Sequence, residues 1–279
     1  MKLNRNLANR LIVSTVALLV VASAYCVSAQ APIPGAAKVL RIKGAARYTA
    51  GDNKWHPLSE GDVIKPGSVI QTASASQLDM LLADDDSNMS RSIAPTMSYQ
   101  PGAEARANIV RMFENTVLSV DKLTTIETGA DRVTETQLDL RNGKIFGTVK
   151  KQTAASRYEV KIPNGVAGIR GTVYTISASG IVSVLSGTVI VAFTKPDGTV
   201  ITQVVTGGQQ YDVNSGLLSA IPNYDKQSMI TAAKEAGIGA TGPMTAFSPN
   251  VGVYYVSPTI GATDGGGNGG NGGGGNGGD

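Results

Sequence analysis

His56 is the only histidine in the 279 residues and Cys26 the only cysteine, so the side chains that most often carry catalysis are nearly absent. A Ser-His-Asp triad would have to be built around His56, the only imidazole in the chain. Its neighbours Trp55, Pro57 and Leu58 instead give it the setting of an ordinary strand-edge residue. A histidine metal cluster is excluded by count, which leaves only carboxylate sites for hard cations such as calcium. The run Asp84-Asp85-Asp86-Ser87-Asn88 concentrates oxygen ligands, but it lacks the spacing of an EF-hand loop, and adjacent acids in a loop are ordinarily solvated. Glycosidase carboxylates lie far apart in a chain, and no segment here nominates such a pair. No catalytic residue, cofactor-binding residue or metal ligand is therefore assigned, and no cofactor is implied.

Gly165, Gly168 and Gly171 have the closeness of a phosphate-binding loop. Their spacing is G-x-x-G-x-x-G rather than G-x-G-x-x-G, and Thr172-Val173-Tyr174-Thr175-Ile176 continues as a strand, so no helix N-terminus waits for a pyrophosphate. The three glycines are read as shaping a bend. Arg170, between them, either binds an anionic group of a partner or satisfies carbonyls at a corner between strands, and the five donors of a guanidinium favour the corner. Tyr158, Tyr174, Tyr211, Tyr254 and Tyr255 would suit a glycan surface, but tyrosines scattered at strand positions are more often packing.

The elements that must position these residues are short strands. Val160 and Ile162, then Val173 and Ile176, then Val182, Val184, Val189 and Val191 set apolar residues at the alternation of half-buried strands, with glycine turns between them. Val39 to Lys43 and Ala46 to Thr49 flank Gly44 in the same way. Few aromatics and many Gly, Val, Thr and Ser favour a mainly β fold, with the strands in a solenoid-like or a sandwich arrangement. Met229, Ile230 and Ala233 fall at helical spacing between Asp225 and Gly237, predicting one short C-terminal helix docked on the β-framework.

The first 29 residues read as a signal peptide: Lys2, Arg5 and Arg10, an apolar run from Leu11 to Ala22, and small residues up to Ala29. The run is shorter than the roughly 20 residues of a membrane span. Cleavage would remove the only cysteine and three basic residues, leaving 21 Lys plus Arg against 21 Asp plus Glu. A formally neutral chain has no electrostatic case for nucleic acid. The expected order is a signal peptide at 1–29, a β domain at 37–224 with an insertion loop at about 83–111, a C-terminal helix and extension at 225–261, and a disordered Gly/Asn-rich tail at 262–279. No stable membrane span remains after cleavage.

Three segments share one resemblance. Ile169-Arg170-Gly171-Thr172-Val173-Tyr174 with Leu185-Ser186-Gly187-Thr188-Val189 resembles the hallmark segment of the FecR-like domain family. Trp55, Leu58, Gly61-Asp62, Gly67, Ile70 and Thr72 are similar to that family's opening pattern. Val117 to Leu123, with Leu138, Leu140 and Gly143-Lys144-Ile145, is similar to its middle passage. The resemblance spans about residues 38–193 and implies a non-enzymatic binding or adaptor protein of the bacterial cell envelope, exported to the periplasm or cell surface and engaged in envelope signalling. The implied partners are an envelope protein, either a transducer or a regulator, or cell-wall glycan. The family's cytoplasmic anti-sigma segment has no counterpart here, so the expectation is a stand-alone adaptor. The alternatives are a structural or surface-assembly protein of the envelope and, more remotely, a cell-wall hydrolase. The sequence leaves the oligomeric state open.

Overall fold

The computed structural model describes residues 31–52, 54–83, 108–129, 131–195 and 197–237. The expected signal peptide, the Asp84–Asp86 run, Tyr254, Tyr255, and the expected C-terminal extension and tail lie outside the described residues. The strands beside the expected insertion reach further into it than its stated limits: one ends at Ala83 and the next begins at Asn108.

Seventeen described strands and one helix form two walls around a single apolar core. Wall A runs, in ladder order, through β4 (His56–Pro57), β3 (Ala46–Thr49), β6 (Ser68–Thr72), β9 (Val117–Glu127), β10 (Arg132–Asn142) and β12 (Arg157–Ile162). It continues through the first part of β13 (Gly165–Ser177), the second part of β14 (Ile181–Thr194) and β15 (Val200–Thr206). A two-residue β1 (Ile33–Pro34) pairs beside the end of β9. Wall B runs through β5 (Val63–Ile64), β2 (Ala36–Lys43), β7 (Gln77–Ala83), β8 (Asn108–Met112) and β11 (Lys144–Thr148). It continues through the second part of β13, the first part of β14, β16 (Gln209–Asp212) and β17 (Leu217–Ala220). The strands wrap the core as in a barrel, but among the described residues no ladder closes the ring. The result is a curled, open half-barrel.

Two rows of tight corners join the walls. At one margin the chain crosses at Gly44, at residues 73–76 and 113–116, and at Gly143. The rungs there are tied by Ala45 O to Ala73 N (3.0 Å), Ala73 O to Asn115 N (3.1 Å) and Gly143 O to Ala178 N (2.9 Å). At the other margin it crosses at residues 149–156, Gly171-Thr172, Gly187 and Gly207-Gly208. Val149 and Thr172 exchange backbone hydrogen bonds of 2.9 and 3.1 Å, and Gly207 N donates to Gly187 O at 3.1 Å. β10, β11 and β12 make one complete turn of this coil, and their outer members therefore lie parallel, whereas every other ladder is antiparallel. The two sequence-based alternatives thus merge: two stacked walls, as in a sandwich, are made by chain that coils, as in a solenoid.

Alternation places the core. Leu138, Leu140, Val160, Ile162, Val189 and Val191 turn inward from wall A to meet Leu78, Met80, Val110, Ile145, Ile176 and Val184 from wall B. Burial of this apolar surface is the main stabilising term. The glycines at the second margin have a steric reason. A Cβ on Gly187, whose φ is +87°, would lie 2.2 Å from the Gly171 carbonyl oxygen. Thr172 completes the corner, its hydroxyl donating to Thr188 O at 2.9 Å and accepting from Thr188 N at 3.2 Å.

α1 (Asn223–Gly237) starts two residues before the expected Asp225 and covers the outside of wall B. Met229, Ala232 and Ala233 are buried there, the two alanines against Phe146 and Val173. Asp225 in its first turn and Lys234 in its last complement the helix dipole.

Candidate functional site

The charged interior of wall B is structural. Asp79 and Arg111, opposite each other on β7 and β8, are both buried and form two hydrogen bonds of 2.6 and 2.8 Å. Arg41 donates to the same carboxylate at 2.7 Å, and Arg111 Nη1 donates to Glu235 of α1 at 2.5 Å. Burial works to lower the Arg111 pKa, but Asp79 and Glu235 outweigh it and hold the group above its ordinary value. This cluster fastens α1 to the wall. A buried ion pair that loses one partner leaves an uncompensated charge, so its chemistry is that of a clasp.

Wall A carries its charge outward and leaves it accessible. The outward rows follow from the register: Glu135, Arg157, Arg170 and Thr188 form one, and Gln137, Glu159, Gly168, Ile190 and Val204 the next. Ion pairs lace the first strands, with Lys122 at 2.6 Å from Glu135, Lys161 at 3.0 Å from Asp121, Arg141 at 2.9 Å from Asp139 and Arg157 at 3.4 Å from Glu159. Partial burial would raise the Asp121 carboxyl, but hydrogen bonds from Ser119 and Lys161 prevail and hold it below the usual carboxylate range.

Between the 149–156 crossing and β14 this wall is indented by a groove of about 550 Å³. Gly168, Thr188 and Ile190 line it together with Lys151, Arg157, Glu159 and Arg170. Arg170 overturns the sequence-based preference for a carbonyl-capping role: it is exposed, and its guanidinium has no hydrogen-bond or ion-pair partner among the described residues. Thr172 satisfies the corner in its place. Only the third of the three glycines lies at the bend. Gly171 has φ +59°, whereas Gly168 and Gly165 sit within the paired part of β13.

The remaining sequence candidates separate cleanly. His56 lies on the two-residue edge strand β4, exposed, with Nε2 3.3 Å from an Asp52 carboxylate oxygen. That hydrogen bond is the largest cause of the lowered Asp52 pKa. Tyr158, Tyr174 and Tyr211 are core residues: the hydroxyls of the first two meet at 3.2 Å, and Tyr211 packs on Phe193. Burial, reinforced by Tyr158, pushes the Tyr174 phenol well above its ordinary pKa. Among the described residues no group of His, Cys, Asp and Glu is arranged to hold a metal ion, and no helix is long and apolar enough to cross a membrane. Gly168 and Ile190 do not stand out from the sequence as a pair. Their signal lies in the strand register, which sets them in a row beside Arg170 only once the pairing of β13 with β14 is known.

The fold and this surface define a coiled β-framework with one helix-covered wall and one grooved wall. Residues 98–190 match the family described as FecR protein. The match takes in the middle and hallmark segments, while the opening pattern around Trp55 precedes it. Two crystal structures of a protein from Parabacteroides distasonis ATCC 8503, provisionally described as an anti-sigma factor, are similar at 16% and 15% identity with TM-scores of 0.31 and 0.30. The alignment covers 45% of this chain and 58% of each of those. No curated protein matches.

Proposed function

We propose that this protein is an exported, non-enzymatic adaptor of the bacterial cell envelope that serves signalling by binding an envelope protein, a transducer or a regulator, through wall A. The observation that carries this reading is the asymmetry of the two walls. Among the described residues, α1 covers the outside of wall B, whereas nothing covers wall A, which presents Arg170 without a counter-charge beside exposed Ile190 and Val204. The match to the FecR family and the general link of that family to envelope signalling support the same direction. Photo-crosslinking from position 204 in the native envelope tests it. Capture of a transducer or inner-membrane regulator is expected, and a crosslinker that reacts only with glycan or with nothing would overturn the adaptor reading.

A second reading, surface assembly, draws on the last rung of the coil. Val200, Val204, Leu217 and Leu218 are exposed on edge strands β15 and β17, where a solenoid would ordinarily be capped. Crosslinks from position 217 to a second copy of the chain, with concentration-dependent light scattering, would favour assembly over adaptor function.

A further inference from the structure

The part of wall A made by β9, β10 and β12 to β15 is balanced almost residue by residue, with one exception. β9, β10 and β12 to β15 carry six basic residues, Lys122, Arg132, Arg141, Arg157, Lys161 and Arg170. The first five each lie within 3.4 Å of a carboxylate on the same wall. Arg170 alone has none among the described residues. An exposed arginine on a neutral face is a half-made ion pair, and its planar fork is built for a carboxylate.

Beside it the wall lacks a side chain where one would fit. Gly168 points outward between Glu159 and Ile190, and its backbone lies outside the left-handed region. A Cβ there would meet only the Ile190 carbonyl oxygen, at 3.7 Å. Neither a turn nor close packing demands glycine at this position, unlike Gly171 and Gly187 at the corner. Gly168 lines the 550 Å³ groove, a volume within the roughly 300–1,000 Å³ of ligand pockets.

Resting on the adaptor reading, we infer that this groove is a carboxylate-recognition subsite for an extended acidic segment of the partner protein, with Arg170 pairing a Glu or Asp side chain and Gly168 and Ile190 receiving an adjacent apolar one. At the same opening Arg157 is already paired with Glu159 at 3.4 Å, so the charge left for an anion is that of Arg170. The occupant is protein rather than glycan or lipid for two reasons. The three described tyrosines that would stack on sugar rings are buried in the core. A membrane surface is held by several unpaired basic residues together, and here the others are neutralised.

The test is selection of a random 12-residue displayed peptide library on the immobilised full chain, followed by affinity measurement on four proteins. Selected peptides should be enriched in Asp or Glu next to an apolar residue. Their affinity should fall at least tenfold for Arg170→Gln and for Gly168→Val, and by less than the Arg170→Gln loss for Arg170→Lys, which keeps the charge but not the planar fork. Anionic phospholipid vesicles and soluble muropeptides should fail to compete. Gly168→Val adds bulk only where space is open, and unchanged thermal unfolding of each variant separates a blocked groove from a damaged fold. Absence of acidic enrichment, equal binding by Arg170→Gln, or displacement by vesicles or muropeptides would overturn the subsite. A position-204 crosslink to an envelope protein that persists in Arg170→Gln would overturn the subsite while leaving the adaptor reading intact.

Discussion

Replacing three glycines by alanine, one at a time, separates the forces that hold the second row of corners. Gly198 has φ +83°, and nothing lies within 4 Å of where an alanine methyl would stand. Alanine there meets only left-handed backbone strain, ~1–2 kcal/mol, offset by the ~0.4–1 kcal/mol that a less flexible unfolded chain returns. Gly187 has nearly the same backbone, φ +87°, but its methyl would lie 2.2 Å from Gly171 O and 2.8 Å from Thr172 Cα. Both neighbours are main chain and cannot swing aside, which adds an overpacking cost of ~1–3 kcal/mol. Gly168 has neither strain nor crowding, so alanine there should be neutral or stabilising by ~0.4–1 kcal/mol. Urea unfolding at constant slope should therefore rank the variants Gly168→Ala, Gly198→Ala, Gly187→Ala from most to least stable, the last losing ~2–4 kcal/mol. If Gly187→Ala proves no less stable than Gly198→Ala, close stacking of the corners is not what demands glycine, and the steric reason given for the hallmark segment fails.

Two further outcomes follow from the charge clusters. Arg111→Met strands a buried Asp79 with Arg41 as its remaining partner, and should cost ~2–3 kcal/mol in urea unfolding and speed amide exchange along α1, while Glu235→Gln, at a half-exposed site, should cost under ~1 kcal/mol. Because the folded Asp121 carboxyl is held low, it adds stability above its unfolded pKa, and that contribution disappears as pH falls through the folded value; below about pH 4 the unfolding curve of Asp121→Asn should flatten relative to the parent, and equal acid sensitivity of the two would contradict the assignment.

The mainly β class is legible because alternation in segments such as Tyr158, Val160 and Ile162 leaves little else for them to be, and the glycines announce corners. Which strands meet is not legible. The neighbours of β13 are β11 and β12 in one direction and β14 in the other, and nothing local to residues 165–177 states that its two halves belong to different walls. Arg111 is hidden for a related reason: a charged residue at an outward strand position reads as solvated until α1, more than a hundred residues later, is laid over it. Arg170 misleads because a guanidinium near a turn has carbonyls in reach, and only the geometry shows that the shorter Thr172 hydroxyl takes them. Gly168 hides within a glycine pattern whose true bend is Gly171.

β13 belongs to both walls without a break. Arg170 stands at the open face and Val173 beneath α1, three residues further along the same strand, with the Gly171-Thr172 corner between them. In two separately hung sheets, a pull on one would have to cross the apolar core to be felt by the other. Here the two outer faces are joined by covalent backbone through the Gly171-Thr172 corner, so the walls cannot part at this point without breaking the pairing of β13 on one side or the other.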